Sequence, residues 1–296
     1  MGVNYTLSPG AVVVAGTGVA ITFGNQTTAT TYTVSATNTS TGCAVSMSGN
    51  AVVIINALPT VVTVPGAGSY CFSTNITAIG GTGGTVYFQG NTSGGTSTFI
   101  ASSSVLIAGS GTYFFRSMSA AGCWGAQGSA SIIINPLPTV SAPSAVCAGS
   151  TIALSPATNG TWASSNNAIA TVTNGGIATG VSAGSVIFTY TLTATGCSKS
   201  TAAVTVNALP AVAPILGGLS AVCINGYLPD FTNATAGGNW SVINGTGSAS
   251  INAGTVEDLA EGNVTIVYTY FNGTCTNAVT KSLIIRPFPL VGSIGG

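Results

Sequence analysis

Asn56-Ala57-Leu58-Pro59, Asn135-Pro136-Leu137-Pro138, Asn207-Ala208-Leu209-Pro210 and Arg286-Pro287-Phe288-Pro289 are four copies of one joint. Each follows a β-branched run: Val52-Val53-Ile54-Ile55, Ile132-Ile133-Ile134, Val204-Thr205-Val206 and Leu283-Ile284-Ile285. Their last prolines, Pro59, Pro138, Pro210 and Pro289, lie 79, 72 and 79 residues apart. A fixed spacing of this kind marks a tandem array. It divides the chain into repeats at 1–58, 59–137, 138–209 and 210–288, with 289–296 beginning a further one.

Composition narrows what these repeats can be. Only 3% of residues are charged and the formal net charge is zero, against a usual charged share of roughly a quarter. This argues against a nucleic-acid surface or an anionic-lipid patch. Gly, Thr, Ser or Asn breaks every apolar run before the ~18 residues of a spanning helix, which argues against membrane insertion. Met1-Gly2-Val3-Asn4 lacks the basic end and apolar stretch of a signal peptide, so the chain reads as the middle of something longer. Abundant Thr and Val favour strands, while Gly and Asn supply turns.

The third repeat shows the pattern most clearly. Short segments follow one another: Pro138-Thr139-Val140, Thr151-Ile152-Ala153-Leu154-Ser155, Gly160-Thr161-Trp162-Ala163-Ser164, Ala168 to Val172, Ile177 to Gly184, Ser185 to Leu192 and Thr201 to Val206. About seven short strands with regular turns predict a β-sandwich. Tyr87, Trp162 and Trp240 fall at matching positions and are the expected core aromatics. Val3-Asn4-Tyr5 aligns near Tyr87, so the first repeat is expected to lack its first two strands. Either the sequence is cut from a longer protein, or another chain supplies those strands.

Gly160-Thr161-Trp162-Ala163-Ser164-Ser165-Asn166, Ile169-Ala170-Thr171-Val172 and Gly180-Val181-Ser182-Ala183-Gly184 resemble the bacterial immunoglobulin-like group 2 domain. Ser110-Gly111-Thr112-Tyr113-Phe114-Phe115-Arg116 and Ala121-Gly122-Cys123-Trp124 resemble the immunoglobulin-like and PKD-like repeats of giant Bacteroidota surface proteins. The resemblance implies an all-β fold of tandem immunoglobulin-like sandwiches in an elongated rod. It also implies type IX export to the cell surface and a role in adhesion, as in the gliding-motility adhesin, whose filaments lie on the cell surface. It carries over no catalytic residue.

The seven cysteines recur at fixed places and suit an oxidising, extracellular setting. Zinc is disfavoured because there is no histidine and no CxxC spacing. Pairing within repeats would join Cys71 to Cys123, Cys147 to Cys197 and Cys223 to Cys275, leaving Cys43 alone. In an immunoglobulin-type sandwich, however, the first cysteine of a repeat lies at one pole and the second at the other. A disulfide needs Cα atoms within about 7 Å. Pairing across the joints, Cys71 with Cys197 and Cys147 with Cys275, is therefore favoured. Cys43, Cys123 and Cys223 would then pair beyond the segment.

Candidates for chemistry are few. The lack of histidine removes Ser-His-Asp and Cys-His mechanisms. Glu257, Asp258 and Glu261 form an acidic cluster that offers a weak calcium site, read more simply as a solvated loop; no other cofactor is expected. Trp124, beside Cys123, is expected at an exposed turn, available to a neighbouring repeat. The sequence thus predicts a non-enzymatic stalk or filament segment of a bacterial cell-surface adhesin, stiffened by disulfides. Its expected partners are neighbouring repeats, identical chains in a filament, and a surface ligand or glycan that these residues do not identify. The alternatives are a filament subunit completed by strand exchange and an accessory region of a secreted hydrolase.

Overall fold

A computed structural model describes residues 2–226, 228 and 230–288, apart from the side chains of 258 and 259. The joint proline Pro289 and the expected repeat start at 289–296 lie outside the described residues. The chain forms two compact units, Met1–Asn135 and Pro136–Gly296. Every regular element among the described residues is a strand, and the fold is all-β and immunoglobulin-like.

Within the first unit, residues 2–58 hold one sheet in the order Val12–Ala15, Val3–Ser8, Thr30–Asn38, Ala44–Ser46, with Ala51–Val53 pairing against Thr30–Tyr32. Its buried side chains are sparse. Leu7 and Tyr32 are enclosed, whereas Val12, Val13, Val45, Met47 and Val52 are exposed. Residues 59–135 make a true sandwich. One sheet runs Thr85–Phe88, Gly111–Met118, Gly128–Asn135, Gly68–Cys71. It closes over the pair Thr74–Thr77 and Ser104–Ile107 around Val62, Ile76, Ile107, Phe115 and Ile132.

The second unit contains two such cores. The first gathers Leu154, Trp162, Ala170, Val186, Phe188, Tyr190, Val204 and Val206. The second gathers Phe231, Val264, Ile266, Tyr268, Leu283 and Ile285. Alternation explains both, since every second residue of a strand faces the same side. In Gly262–Phe271 the inward positions Val264, Ile266 and Tyr268 are buried, and the longer strand Thr276–Arg286 buries Leu283 and Ile285.

Two local expectations shift. The segment Ser185 to Leu192 is two strands, not one: Gly184–Val186 pairs with Val204–Val206, while Phe188–Leu192 pairs with Gly160–Ser164 and Ser198–Ser200. The break falls at Ile187, which is exposed between buried Val186 and Phe188. Tyr87 is also corrected. It is half-buried, and its neighbour Phe88 packs against the core instead, 5.1 Å from the Phe115 ring. Phe88 pairs in register with Phe115, as Trp162 does with Tyr190 and Trp240 with Tyr268. The sequence alignment was therefore one residue out of phase, which in a strand exchanges the two faces. Trp162 is buried, 5.1 Å from Tyr190, while Trp240 is half-buried against Tyr268.

Phe188 is fully buried and close-packed in its core. Phe188→Ala is expected to destabilise that sandwich by roughly 3–5 kcal/mol, through lost burial and the cavity left behind. Denaturant unfolding followed by the fluorescence of nearby Trp162 checks this, and a loss under 1 kcal/mol would refute the assignment of the core.

Candidate functional site

The site lies where the last strand of a sandwich runs into its joint. In each of the three later repeats a short strand pairs in parallel with that last strand and ends on a cysteine. Gly68–Cys71 pairs with Ile132–Asn135, Ala145–Cys147 with Thr205–Asn207, and Ala221–Cys223 with Ile284–Arg286. The register sets Cys71 opposite Asn135, Cys147 opposite Asn207 and Cys223 opposite Arg286. The partner residue is in every case the first residue of the joint. One further hydrogen bond fixes the end of each ladder: Phe72 N–H to Asn135 O at 2.9 Å, Ala148 N–H to Asn207 O at 2.9 Å, and Ile224 N–H to Arg286 O at 2.8 Å.

The second cysteine of each repeat occupies a hairpin turn at the far pole. Gly42, Gly122, Gly196 and Gly273 hold positive φ in these turns, a conformation that glycine adopts without a Cβ clash. The cysteine carbonyl closes each turn by accepting an N–H from Asn38, Ser119, Leu192 or Asn272. The sequence therefore builds two cysteine positions of fixed geometry, one beside the outgoing joint and one at the opposite end.

Cys147 is bonded to Cys275, with Cα atoms 5.8 Å apart and a sequence separation of 128. The bond joins the core around Trp162 to the core around Tyr268 and spans the joint Asn207-Ala208-Leu209-Pro210. Cys71 and Cys197 are also disulfide-bonded. Cys43, Cys123 and Cys223 are free thiols. The alternative within-repeat pairs Cys71–Cys123, Cys147–Cys197 and Cys223–Cys275 are not formed. The reason is the polar separation just described, which no side-chain rotation can bridge. A loop of this length removes roughly 4–5 kcal/mol of chain entropy from the unfolded ensemble.

The joint itself is short. Pro59, Pro138 and Pro210 are buried, whereas Leu58, Leu137 and Leu209 are exposed. Pro59 lies against Gly125, where an added Cβ would come within 2.8 Å of its carbonyl. The Asn277 side-chain amide donates to Pro210 O at 2.9 Å. Pro59 and Pro210 therefore belong to the sandwich that follows each, and only the two middle residues of those joints remain as linker. Proline also fixes φ at the point of entry.

Other sequence candidates stand apart. Trp124 is half-buried rather than free: its ring meets Tyr87 edge-on at 5.6 Å and carries the Arg116 guanidinium at 5.3 Å. Arg116 went unremarked in the sequence, although cations number only four. It donates to the carbonyls of Gly94, Gly95 and Gly125, holding the loop after Gln89. The Glu257–Asp258 segment is a strand, Thr255–Ala260, and not the expected loop. Among the described residues no three His, Cys, Asp or Glu side chains gather as a metal site, and no helix is long and apolar enough to cross a membrane.

The fold is that of immunoglobulin-like β-sandwiches in tandem. No family model and no curated protein matches the sequence. Solved structures with a similar course include domains 1–6 of the surface layer protein SbsC, at 14% identity and TM-score 0.26, covering 98% of this chain and 50% of that one. The bacterial integrin-binding protein invasin aligns at 14% identity and TM-score 0.34, covering 96% of this chain and 72% of that one. The first four Ig domains of Dscam1 align at 10% identity and TM-score 0.18, over 97% and 92%. The chain thus spans about half the length of the six-domain surface layer fragment it matches.

Digestion without reductant is expected to release one peptide pair linked through Cys147 and Cys275. Cys275→Ser should leave both cores folded while broadening the spin-label distance distribution between residues 165 and 250. An unchanged width would reduce the site to an ordinary linker.

Proposed function

We propose that this chain is a non-enzymatic stalk or filament segment of a bacterial cell-surface adhesin, in which disulfides across the joints limit bending between consecutive sandwiches. The repeats would divide at the joints, into 1–58, 59–137, 138–209 and 210–288. The reading is carried by the Cys147–Cys275 bond, which ties two separate cores together across a two-residue linker. A bond in that place restricts the angle between the two cores. Cys71 holds in its repeat the place of Cys147, and Cys197 that of Cys275. On this equivalence we assign Cys71 and Cys197 to a second bond of the same kind.

Composition supports the surface assignment, since disulfides persist in oxidising compartments. The finer reading, a Bacteroidota protein exported by the type IX route and serving adhesion or gliding, rests on the sequence resemblance. A second reading, strand exchange between chains, draws on one observation: Val52 in the last strand of the first repeat, and Ile54 and Ile55 just beyond it, are exposed. Sedimentation of the purified chain separates the two, because strand exchange gives concentration-dependent association that reductant does not reverse.

Antibodies against residues 59–288, applied to intact cells that make the protein, should label the outer surface without permeabilisation. Brief external protease should remove the label. A signal that appears only after permeabilisation would overturn the surface assignment.

A further inference from the structure

Arg116 is the one charged side chain in the first unit, and no Asp or Glu precedes Asp230 in the sequence. The sandwich at 59–135 therefore holds a cation that no carboxylate opposes. Arg116 is half-buried, and its guanidinium uses Nε on Gly125 O at 3.0 Å and Nη1 on Gly94 O and Gly95 O at 3.3 and 3.2 Å. Its central carbon lies 5.3 Å from the centre of the Trp124 ring. Nη2 meets no hydrogen-bond partner among the described residues. Neutral carbonyls and an aromatic face solvate the charge without cancelling it, whereas charges withdrawn from water are ordinarily paired.

The fold does not require this cluster. Tyr87 is registered across from Arg116, beside the core pair Phe88 and Phe115. The corresponding pair is Thr161 with Thr191 beside Trp162 and Tyr190, and Asn239 with Thr269 beside Trp240 and Tyr268. The residue after the second cysteine is Trp124 in one sandwich, Ser198 and Thr276 in the others. Three large side chains thus stand together on an outward face where two sister sandwiches carry small neutral ones. Beside them is a hollow of about 300 Å³ lined by Gly83, Gly84, Thr85, Tyr87, Met118 and Ser119. Part of its wall is bare backbone, because an added Cβ at Gly84 would come within 2.6 Å of Met118 O. Thr85 pairs with Met118 two residues along from the Tyr87–Arg116 pair, so the hollow and the cation share one face, about 7 Å apart along the strands.

We propose that this face binds an acidic sugar, a pyranose ring that carries a carboxylate. The C–H face of the ring would lie on the Tyr87 side of the aromatic pair, with its hydroxyls toward the backbone and hydroxyl groups of the hollow. The carboxylate would accept from Arg116 Nη2, a charge-assisted hydrogen bond. With no acidic residue in the first unit to offset it, the Arg116 charge favours an anion over a neutral sugar. The assignment is independent of the disulfides across the joints.

The probes are the methyl glycosides of glucuronic and galacturonic acid, their neutral counterparts methyl glucoside and methyl galactoside, and acetate. Titrated into the isotope-labelled full chain, at least one acidic glycoside is expected to shift the Trp124 indole N–H and Arg116 Nε–H resonances saturably. Its neutral counterpart and acetate should bind at least tenfold more weakly, and added salt should weaken the acidic glycoside. Tyr87→Thr introduces the residue type that a sister sandwich already holds there and leaves the Arg116 hydrogen bonds in place. It should lower affinity at least tenfold. Arg116→Thr should abolish the preference for the acidic glycoside. Amide spectra of residues 59–135 report whether each variant remains folded. If Arg116→Thr unfolds, Tyr87→Thr and the acidic-to-neutral ratio in the unaltered chain decide. No saturable shift from either acidic glycoside, equal binding of acidic and neutral glycosides, acetate binding as tightly as the glycosides, or full affinity in folded Tyr87→Thr would each overturn the proposal.

Discussion

The arrangement depends on the parallel pairing between the last strand of each sandwich and the short strand that ends on a cysteine. Parallel ladders are slightly less stable per residue than antiparallel ones, and these are only three or four residues long. Their value is positional. By registering Cys71, Cys147 and Cys223 on Asn135, Asn207 and Arg286, they carry the thiol to the outgoing end of the sandwich. The same ladder covers the edge of the last strand, which would otherwise invite unwanted pairing. Edge protection and thiol placement are one structural act. The first repeat shows the contrast, because no described strand lies on the outer side of Ala51–Val53, and Val52 stays in solvent.

A chain with so few charges must keep its solvent faces wet by other means. Hydroxyls placed directly across strands do part of this. Thr112 meets Ser131 at 3.0 Å, Thr189 meets Ser200 at 2.9 Å, and Thr77 meets Ser104 at 3.1 Å. Such pairs contribute a few tenths of a kcal/mol up to about 1 kcal/mol each. Unlike ion pairs, they are indifferent to ionic strength. The β-branched threonines that supply them also suit the pleated surface.

Period-two alternation made the all-β fold and most inward positions legible in the sequence, because burial on one face imposes it. It failed where registration depended on partners far along the chain. Tyr87 and Phe88 are adjacent aromatics, and only pairing with Phe115 shows which faces inward. The split at Ile187 was hidden because both halves alternate, and only their separate partners reveal it. The joints were legible from their spacing. The thiol placement followed from an assumed strand order, which carries directional information that residue spacing lacks. Arg116 was opaque because its partners are carbonyls of glycines, which leave no side-chain signature.

The bond between Cys147 and Cys275 also changes how tension travels. A pull on the two ends of the second unit need not pass through the residues between these cysteines, since the sulfurs offer a shorter route. That sequence separation of 128 represents about 420 Å of extended chain at ~3.3 Å per residue. That length is withheld from stretching while the bond is intact. The cores around Trp162 and Tyr268 could then lose their packing under strain without lengthening the molecule by that amount. Extensibility at this point becomes a property of redox state rather than of the stability of either sandwich.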